Sequence, residues 1–189
     1  TNLPSIDPSR RVLGVIRPTV ECIGDLTQNR HVGILATSGT IKSESYLLEI
    51  EKLFPDVTVT GEACPMWVPL VENNEYDSEG ADYFVQKHIR QLLAKDPDID
   101  TLILGCTHYP LLIEKIRQFT PSHIRIVPQG EYVAQSLQNY FRRHPEMDNR
   151  CTKEGTCRFL TTESETKFEE SASIFLQQED IHVERIILE

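Results

Sequence analysis

The sequence predicts an α/β protein with mainly parallel sheets flanked by helices, and three observations predict it. Short β-branched runs alternate with amphipathic stretches along the whole chain. One run, Thr101–Leu104, is almost wholly apolar, as suits a strand covered on both faces of a parallel sheet. The stretches between the runs have the ~10–15 residue length that returns a chain through right-handed βαβ crossovers.

The elements follow in order. Val12–Ile16 reads as a short buried strand ended by Pro18. Thr19–Leu26 supplies two helical turns, and His31–Ala36 is a second strand. Ile41–Phe54 is expected to be one helix, because Ile41, Leu47, Leu48, Ile50, Leu53 and Phe54 gather largely on one face. Val57–Thr60 is a third strand. Cys64–Val71 contains two prolines and is expected to be a shaped loop. Asp77 is placed to cap a helix over Ser78–Ala94, with Gly80 a weak point in its first turn. Thr101–Leu104 is the fourth strand, and Pro110 suits the first turn of a helix reaching Phe119. Ile124–Val127 is a fifth strand, followed by a helix over Glu131–Arg143 with a core stripe at Val133, Leu137 and Tyr140. His144–Thr156 is polar and reads as a surface loop. A strand at Arg158–Thr161, a helix at Glu165–Gln178 and a last strand at His182–Leu188 close the chain.

Composition narrows the function classes. The 189 residues are 39% hydrophobic, enough for one or two domains with a real core. Nineteen basic against 29 acidic residues give a formal charge of −10, which repels phosphate backbones and argues against nucleic acid as a partner. No apolar run approaches the ~20 residues that span a bilayer, which argues against a membrane partner. Five cysteines without framework spacing point to a reducing, cytoplasmic setting. The chain opens on Thr1 and is expected to be a piece of a longer protein.

In an open parallel sheet, ligands gather at the carboxyl ends of the strands. Two strand-to-helix turns there have unusual polar content. In Ala36-Thr37-Ser38-Gly39-Thr40, a left-handed Gly39 would let successive N–H groups hold an anion, with Thr37, Ser38 and Thr40 adding hydroxyls. The plainer alternative is that Thr40 or Ser38 simply caps the next helix. In Leu104-Gly105-Cys106-Thr107-His108-Tyr109-Pro110, the thiol faces a positive helix terminus, which favours thiolate over its ~8.5 reference pKa. His108 is close enough in sequence to exchange a proton or bind a ligand. A cysteine is often only a small buried hydrophobe, and Cys22 is read that way. A third segment, Ala63–Glu72, contains Cys64 and Glu72; Trp67 and Leu70 in it read as core, and Glu72 by itself as a solvated carboxylate. Cys64, Cys106 and His108 fit no paired zinc spacing, and Cys151 and Cys157 read as surface thiols.

These residues together resemble a known family. Gly105-Cys106-Thr107-His108-Tyr109-Pro110-Leu111-Leu112 resembles the second catalytic-cysteine motif of the bacterial glutamate racemases. Thr37-Ser38-Gly39-Thr40-Ile41-Lys42-Ser43 resembles their substrate-binding turn, and Ala63-Cys64-Pro65 through Glu72 their loop with an acidic residue near the active site. The resemblance runs from about Val12 to the end of the chain.

The resemblance implies two pseudo-symmetric α/β lobes with the substrate, L- or D-glutamate, between them. It implies no cofactor and no metal, and allows a homodimer. Two cysteines would face opposite sides of the substrate α-carbon, one thiolate removing the proton and the other thiol returning one, in the service of cell-wall peptidoglycan precursors. By resemblance Cys106 is the second of these and His108 its acid–base helper. Thr37, Thr40 and Thr107 match substrate-binding residues, and Glu72 a site carboxylate. The other cysteine would lie in an N-terminal segment absent from these residues, so the chain alone is expected to be inactive. Residues 19–128 would form one complete lobe, and residues 1–18 and 129–189 part of the second. Two alternatives stay open: a related aspartate or hydantoin racemase, and a non-catalytic anion-binding α/β module.

Overall fold

Four parallel strands organise the first of two compact units, residues 1–140 and 141–189, in a computed structural model that describes residues 3–7 and 12–188. Strands β1 (His31–Ala36), β2 (Thr58–Ala63), β3 (Thr101–Leu104) and β4 (Arg125–Pro128) stand in the order β2-β1-β3-β4. The register sets Ala36 beside Ala63, Leu35 beside Leu104 and Leu104 beside Pro128, so the strands finish near one level. Helices α1 (Leu3–Ile6), α2 (Ile16–Glu21) and α3 (Ile23–Leu26) precede β1. Helices α4 (Ser38–Lys42) and α5 (Ser45–Leu53) follow it, and α6 (Trp67–Glu72) and α7 (Glu79–Lys95) follow β2. A 3₁₀ turn over Tyr109–Leu112 leads from β3 into α8 (Ile113–Phe119), and α9 (Gln129–Arg143) leaves β4.

Strand alternation sorts the core onto the two faces of the sheet. Val32, Ile34, Ala36, Ile103 and Val127 pack with Val20, Ile23, Tyr46 and Ile50 from α2, α3 and α5. Leu35, Leu102 and Leu104 point the other way, into a cluster with Trp67, Val85, Leu92, Tyr109 and Ile116 from α6, α7, the 3₁₀ turn and α8. With both faces covered, all four residues of β3 are buried, as the apolar run predicts.

Several local expectations are corrected. Val12–Val15 form no strand: Val12, Leu13 and Val15 are exposed, and Ile16 begins α2. Pro18 sits in the first turn of that helix, where its missing N–H breaks no helical hydrogen bond. The same tolerance lets α6 form across Pro69, so only the start of the Cys64–Val71 segment is irregular. The helix expected over Ile41–Phe54 is two helices. Ser43 Oγ bonds the Thr40 carbonyl at 2.8 Å, and Glu44 takes a left-handed conformation, φ 54°, between α4 and α5. Ser78 rather than Asp77 caps α7, its Oγ accepting from the Ala81 N–H at 3.2 Å. The polar stretch after α9 includes a short helix, α10 (Pro145–Asp148).

The second unit is a single βαβ element. Strands β5 (Phe159–Thr161) and β6 (Val183–Arg185) pair in parallel and α11 (Glu165–Leu176) lies between them in sequence. Ala172 and Val183 are its buried apolar residues, and the Phe159 and Phe168 rings meet at 6.4 Å.

Candidate active site

The turns that leave β1, β2 and β3 are stitched together at the carboxyl end of the sheet. Cys64 N–H donates to the Ala36 carbonyl and Gly105 N–H to the Leu35 carbonyl, each at 2.8 Å. The turn after β1, with Thr37 and Thr40, is therefore flanked on one side by Cys64 and on the other by Gly105 and Cys106. Gly105 is required here by close approach: a Cβ on it would lie 3.0 Å from Ala36 Cβ, 3.2 Å from Tyr46 Cε2 and 3.3 Å from the Leu35 carbonyl oxygen. A second link joins the turns after β2 and β3 across the end of β1. Tyr109 OH donates to the Cys64 carbonyl at 3.3 Å, and the Tyr109 and Trp67 rings meet edge-on at 4.7 Å.

Three of the sequence-predicted residues form a line on this surface. Cys106 Sγ stands 3.8 Å from His108 Nδ1, and His108 Nε2 stands 3.2 Å from Glu72 Oε1. A carboxylate oxygen only accepts, so Nε2 donates to Glu72, which in the neutral ring leaves Nδ1, the nitrogen facing the sulfur, as an acceptor. Glu72 is a solvated carboxylate, as its sequence context suggests, and still reaches the ring because α6 ends beside the 3₁₀ turn.

The thiol itself departs from expectation. Burial pushes the Cys106 pKa up, and that outweighs the His108, Tyr109 and Thr107 N–H groups that hold it down; the Glu72 charge adds to the rise. A positive terminus does face the sulfur, but the half-buried site takes away more hydration than those dipoles restore. Burial thus works against ionisation of the Cys106 thiol, and an imidazole nitrogen stands beside it.

The threonines fall into two places. Thr37 and Thr40 meet: Thr37 Oγ1 accepts from the Thr40 N–H at 3.2 Å, and their hydroxyls lie 3.0 Å apart. Thr37, not Thr40 or Ser38, caps α4, and Gly39 is helical rather than left-handed, so the anion-holding concavity expected from it does not form. Thr40 also borders an apolar cleft of about 180 Å³ with Ile34, Ile41 and Val59. Thr107 is exposed on the Cys106 turn. Cys64 is fully buried, and burial drives its thiol pKa far up.

One residue at the site escaped the sequence reading. Gln129, the first residue of α9, donates from Nε2 to the Leu104 carbonyl at 2.9 Å. Its Oε1 accepts from Tyr46 OH at 2.6 Å and from Thr19 Oγ1 at 3.4 Å. The only sequence signal was a polar side chain directly after the fifth strand run.

A family model described as Asp/Glu/hydantoin racemase matches residues 10–136. The chain belongs to that racemase family. A glutamate racemase from Streptococcus agalactiae is 38% identical over 180 residues, covering 94% of this chain and 66% of its own length. This racemase-family chain therefore spans just under two thirds of that curated relative. Among solved structures, a glutamate racemase isoform from Bacillus anthracis superposes with a TM-score of 0.85 at 31% identity, covering 98% of this chain and 69% of that one. The glutamate racemase from Francisella tularensis, solved with D-glutamate, gives 0.81 at 26% identity, covering 98% and 67%.

Ligand-type side chains also cluster at the opposite end of the racemase-family sheet. His31, Asp96 and Asp98 bring three donor atoms within 4.8 Å of one another. Two of them already satisfy each other, His31 Nδ1 lying 2.9 Å from Asp96 Oδ2, and Asp96 also accepts from Thr60 Oγ1 and the Asp98 N–H. Among the described residues, no helix is long and apolar enough to cross a membrane.

Proposed function

We propose that this chain forms part of a cofactor-independent glutamate racemase and supplies one of its two proton-transferring cysteines, Cys106. The observation that carries the reading is the thiol–imidazole–carboxylate line Cys106–His108–Glu72 at the carboxyl end of a parallel sheet, in a chain similar to glutamate racemases over most of its length. The coverage of those relatives supports a layout of two lobes, residues 19–128 forming one and residues 1–18 and 129–189 belonging to the other.

His108 Nδ1 takes the proton of the neutral Cys106 thiol, and Glu72 stabilises the imidazolium that results. The thiolate then removes the α-proton from one face of glutamate, becoming a thiol again, while a second thiol delivers a proton to the opposite face. Charge that develops on the substrate carboxylate is met by fixed donors, for which Thr37, Thr40 and Thr107 are the candidates. Cysteine suits both directions because it is a base as thiolate and a donor as thiol near neutral pH. Production of D-glutamate for peptidoglycan precursors, in the cytoplasm, is the role this reaction would serve.

The test is racemisation of L-glutamate in D₂O, followed by optical rotation and α-deuterium incorporation. The protein at its full encoded length is expected to do both, and the 189 residues alone neither. Cys106→Ser is expected to lower turnover by at least about 10³-fold while the fold persists. Near wild-type turnover by the folded Cys106→Ser variant would overturn the assignment.

A further inference from the structure

The Leu104–Gly105 peptide bond, one residue ahead of the candidate thiol, is held from both sides. Its N–H, from Gly105, donates to the Leu35 carbonyl of β1 at 2.8 Å. Its carbonyl, from Leu104, points the other way, as in any trans peptide, toward β4. There the strand has run out: Leu104 pairs with Pro128, the last residue of β4, and the ladder position that would donate to this carbonyl falls on Gln129, the first residue of α9. That residue donates from its side chain, Gln129 Nε2, at 2.9 Å.

The amide is itself oriented. A backbone carbonyl only accepts, so the Gln129 atom facing Leu104 is its nitrogen, and the oxygen faces Tyr46 OH and Thr19 Oγ1. Both of those residues are buried, and the Tyr46 ring packs where a Gly105 side chain would be.

We propose that Gln129 is a positioning residue for Cys106: by completing the β3 ladder with its side chain it fixes the Leu104–Gly105 peptide, and with it the turn whose Thr107, His108 and Tyr109 N–H groups converge on the sulfur. The proposal rests on Cys106 as the reacting thiol. Gln129 bonds to the Leu104 carbonyl, Thr19 and Tyr46 rather than to the sulfur, and Tyr46 is the titratable group among these partners. The titratable groups that do face Cys106 are His108, Glu72, Tyr109, Tyr46 and Cys64. Tyr46, pushed up to about 12 by burial, stays neutral throughout the range tested below.

The experiment needs no substrate, so its outcome is separate from that of the racemisation test. The purified chain is alkylated with iodoacetamide between pH 6 and about pH 10, and each cysteine is followed by peptide mass spectrometry. Gln129→Met keeps the side-chain length and removes both hydrogen-bonding functions. It is expected to slow alkylation of Cys106 at neutral pH by about five- to tenfold and to raise the midpoint of its pH profile by about one pH unit, because the N–H groups no longer converge. Exposed Cys151 is the control for reagent, and buried Cys64 for folding, since its protection is lost if the core opens. Tyr46→Phe frees the amide to swivel and is expected to move Cys106 in the same direction by about two- to threefold. An unshifted Cys106 profile in Gln129→Met, with Cys64 still protected, overturns the proposal. Should Gln129→Met expose Cys64, an unshifted profile in Tyr46→Phe overturns it instead.

Discussion

Glu72 accepts a hydrogen bond from His108 Nε2 at 3.2 Å, and that contact decides which ring nitrogen is left for Cys106. The imidazole has one proton to place when neutral; committing it to the carboxylate leaves Nδ1 as an acceptor 3.8 Å from the sulfur. The two residues are 36 positions apart in sequence, and α6 and the 3₁₀ turn bring them together by packing Trp67 against Tyr109.

Glu72→Leu removes the acceptor and is expected to release that tautomer. In the full-length protein, kcat for L-glutamate should fall by about 10- to 100-fold with a smaller change in KM, the behaviour of a lost orienting partner. Nitrogen NMR of His108 gives an independent reading. The neutral ring should be protonated at Nε2 in the wild type and mixed in the variant; a wild-type ring protonated mainly at Nδ1 would contradict the arrangement.

Two glycines should respond oppositely to alanine. Gly105→Ala drives a Cβ against Ala36, Tyr46 and the backbone carbonyl of Leu35, so a loss of about 1–3 kcal/mol is expected. Gly130 lies in the first turn of α9 with open space around it, and Gly130→Ala should stabilise by up to about 1 kcal/mol. Urea unfolding midpoints compare the two directly.

The His31–Asp96 pair should make stability depend on pH. The hydrogen bond to Asp96 raises the His31 pKa, so this contribution is present below the unfolded histidine value and is lost as pH rises through the folded one. Burial alone would raise the Asp96 carboxyl, but bonds from His31, the Asp98 N–H and Thr60 hold it below the usual range. Its contribution is present above the unfolded carboxylate value and is lost as pH falls through the folded one. Both hold between about pH 4 and 6.5. His31→Asn should therefore cost most near pH 5, about 0.5–1 kcal/mol for a pair whose histidine is partly exposed to screening, and least above pH 8. A pH-independent difference in unfolding free energy would show that the pair contributes no charge interaction.

Trp67 and Tyr109 should differ in what their loss costs. Trp67→Ala opens a cavity in the core and is expected to cost about 3–5 kcal/mol. Tyr109→Phe keeps the ring contact and removes only the hydroxyl that serves the Cys64 carbonyl, for about 1–2 kcal/mol. Denaturant titration separates the two.

Much of the fold was legible because burial on both faces leaves an unbroken apolar run. β1 and β3 coincide with the runs His31–Ala36 and Thr101–Leu104 residue for residue. Errors arose where a proline or hydroxyl was read by its usual rule. Pro18 and Pro69 sit in helical first turns, where proline costs nothing, and Ser43 breaks a helix by bonding a backbone carbonyl. At the site, Cys106, Thr107 and His108 were legible as neighbours on one turn. Glu72 was tied to them by resemblance alone, since its approach depends on tertiary packing. Gln129 was not legible, because its role depends on the register that sets Leu104 beside Pro128. Nor was the rise in the Cys106 pKa: a sequence displays the helix terminus but not the depth of burial.

Tyr109, spanning the end of β1 to reach the Cys64 carbonyl, fixes more than a spacing. Glu72 and His108 hang from segments that share one buried aromatic contact, so a displacement of either segment drags the other along. On heating, the thiol–imidazole–carboxylate spacing should survive local fraying and vanish together with the core, because its anchors are core residues.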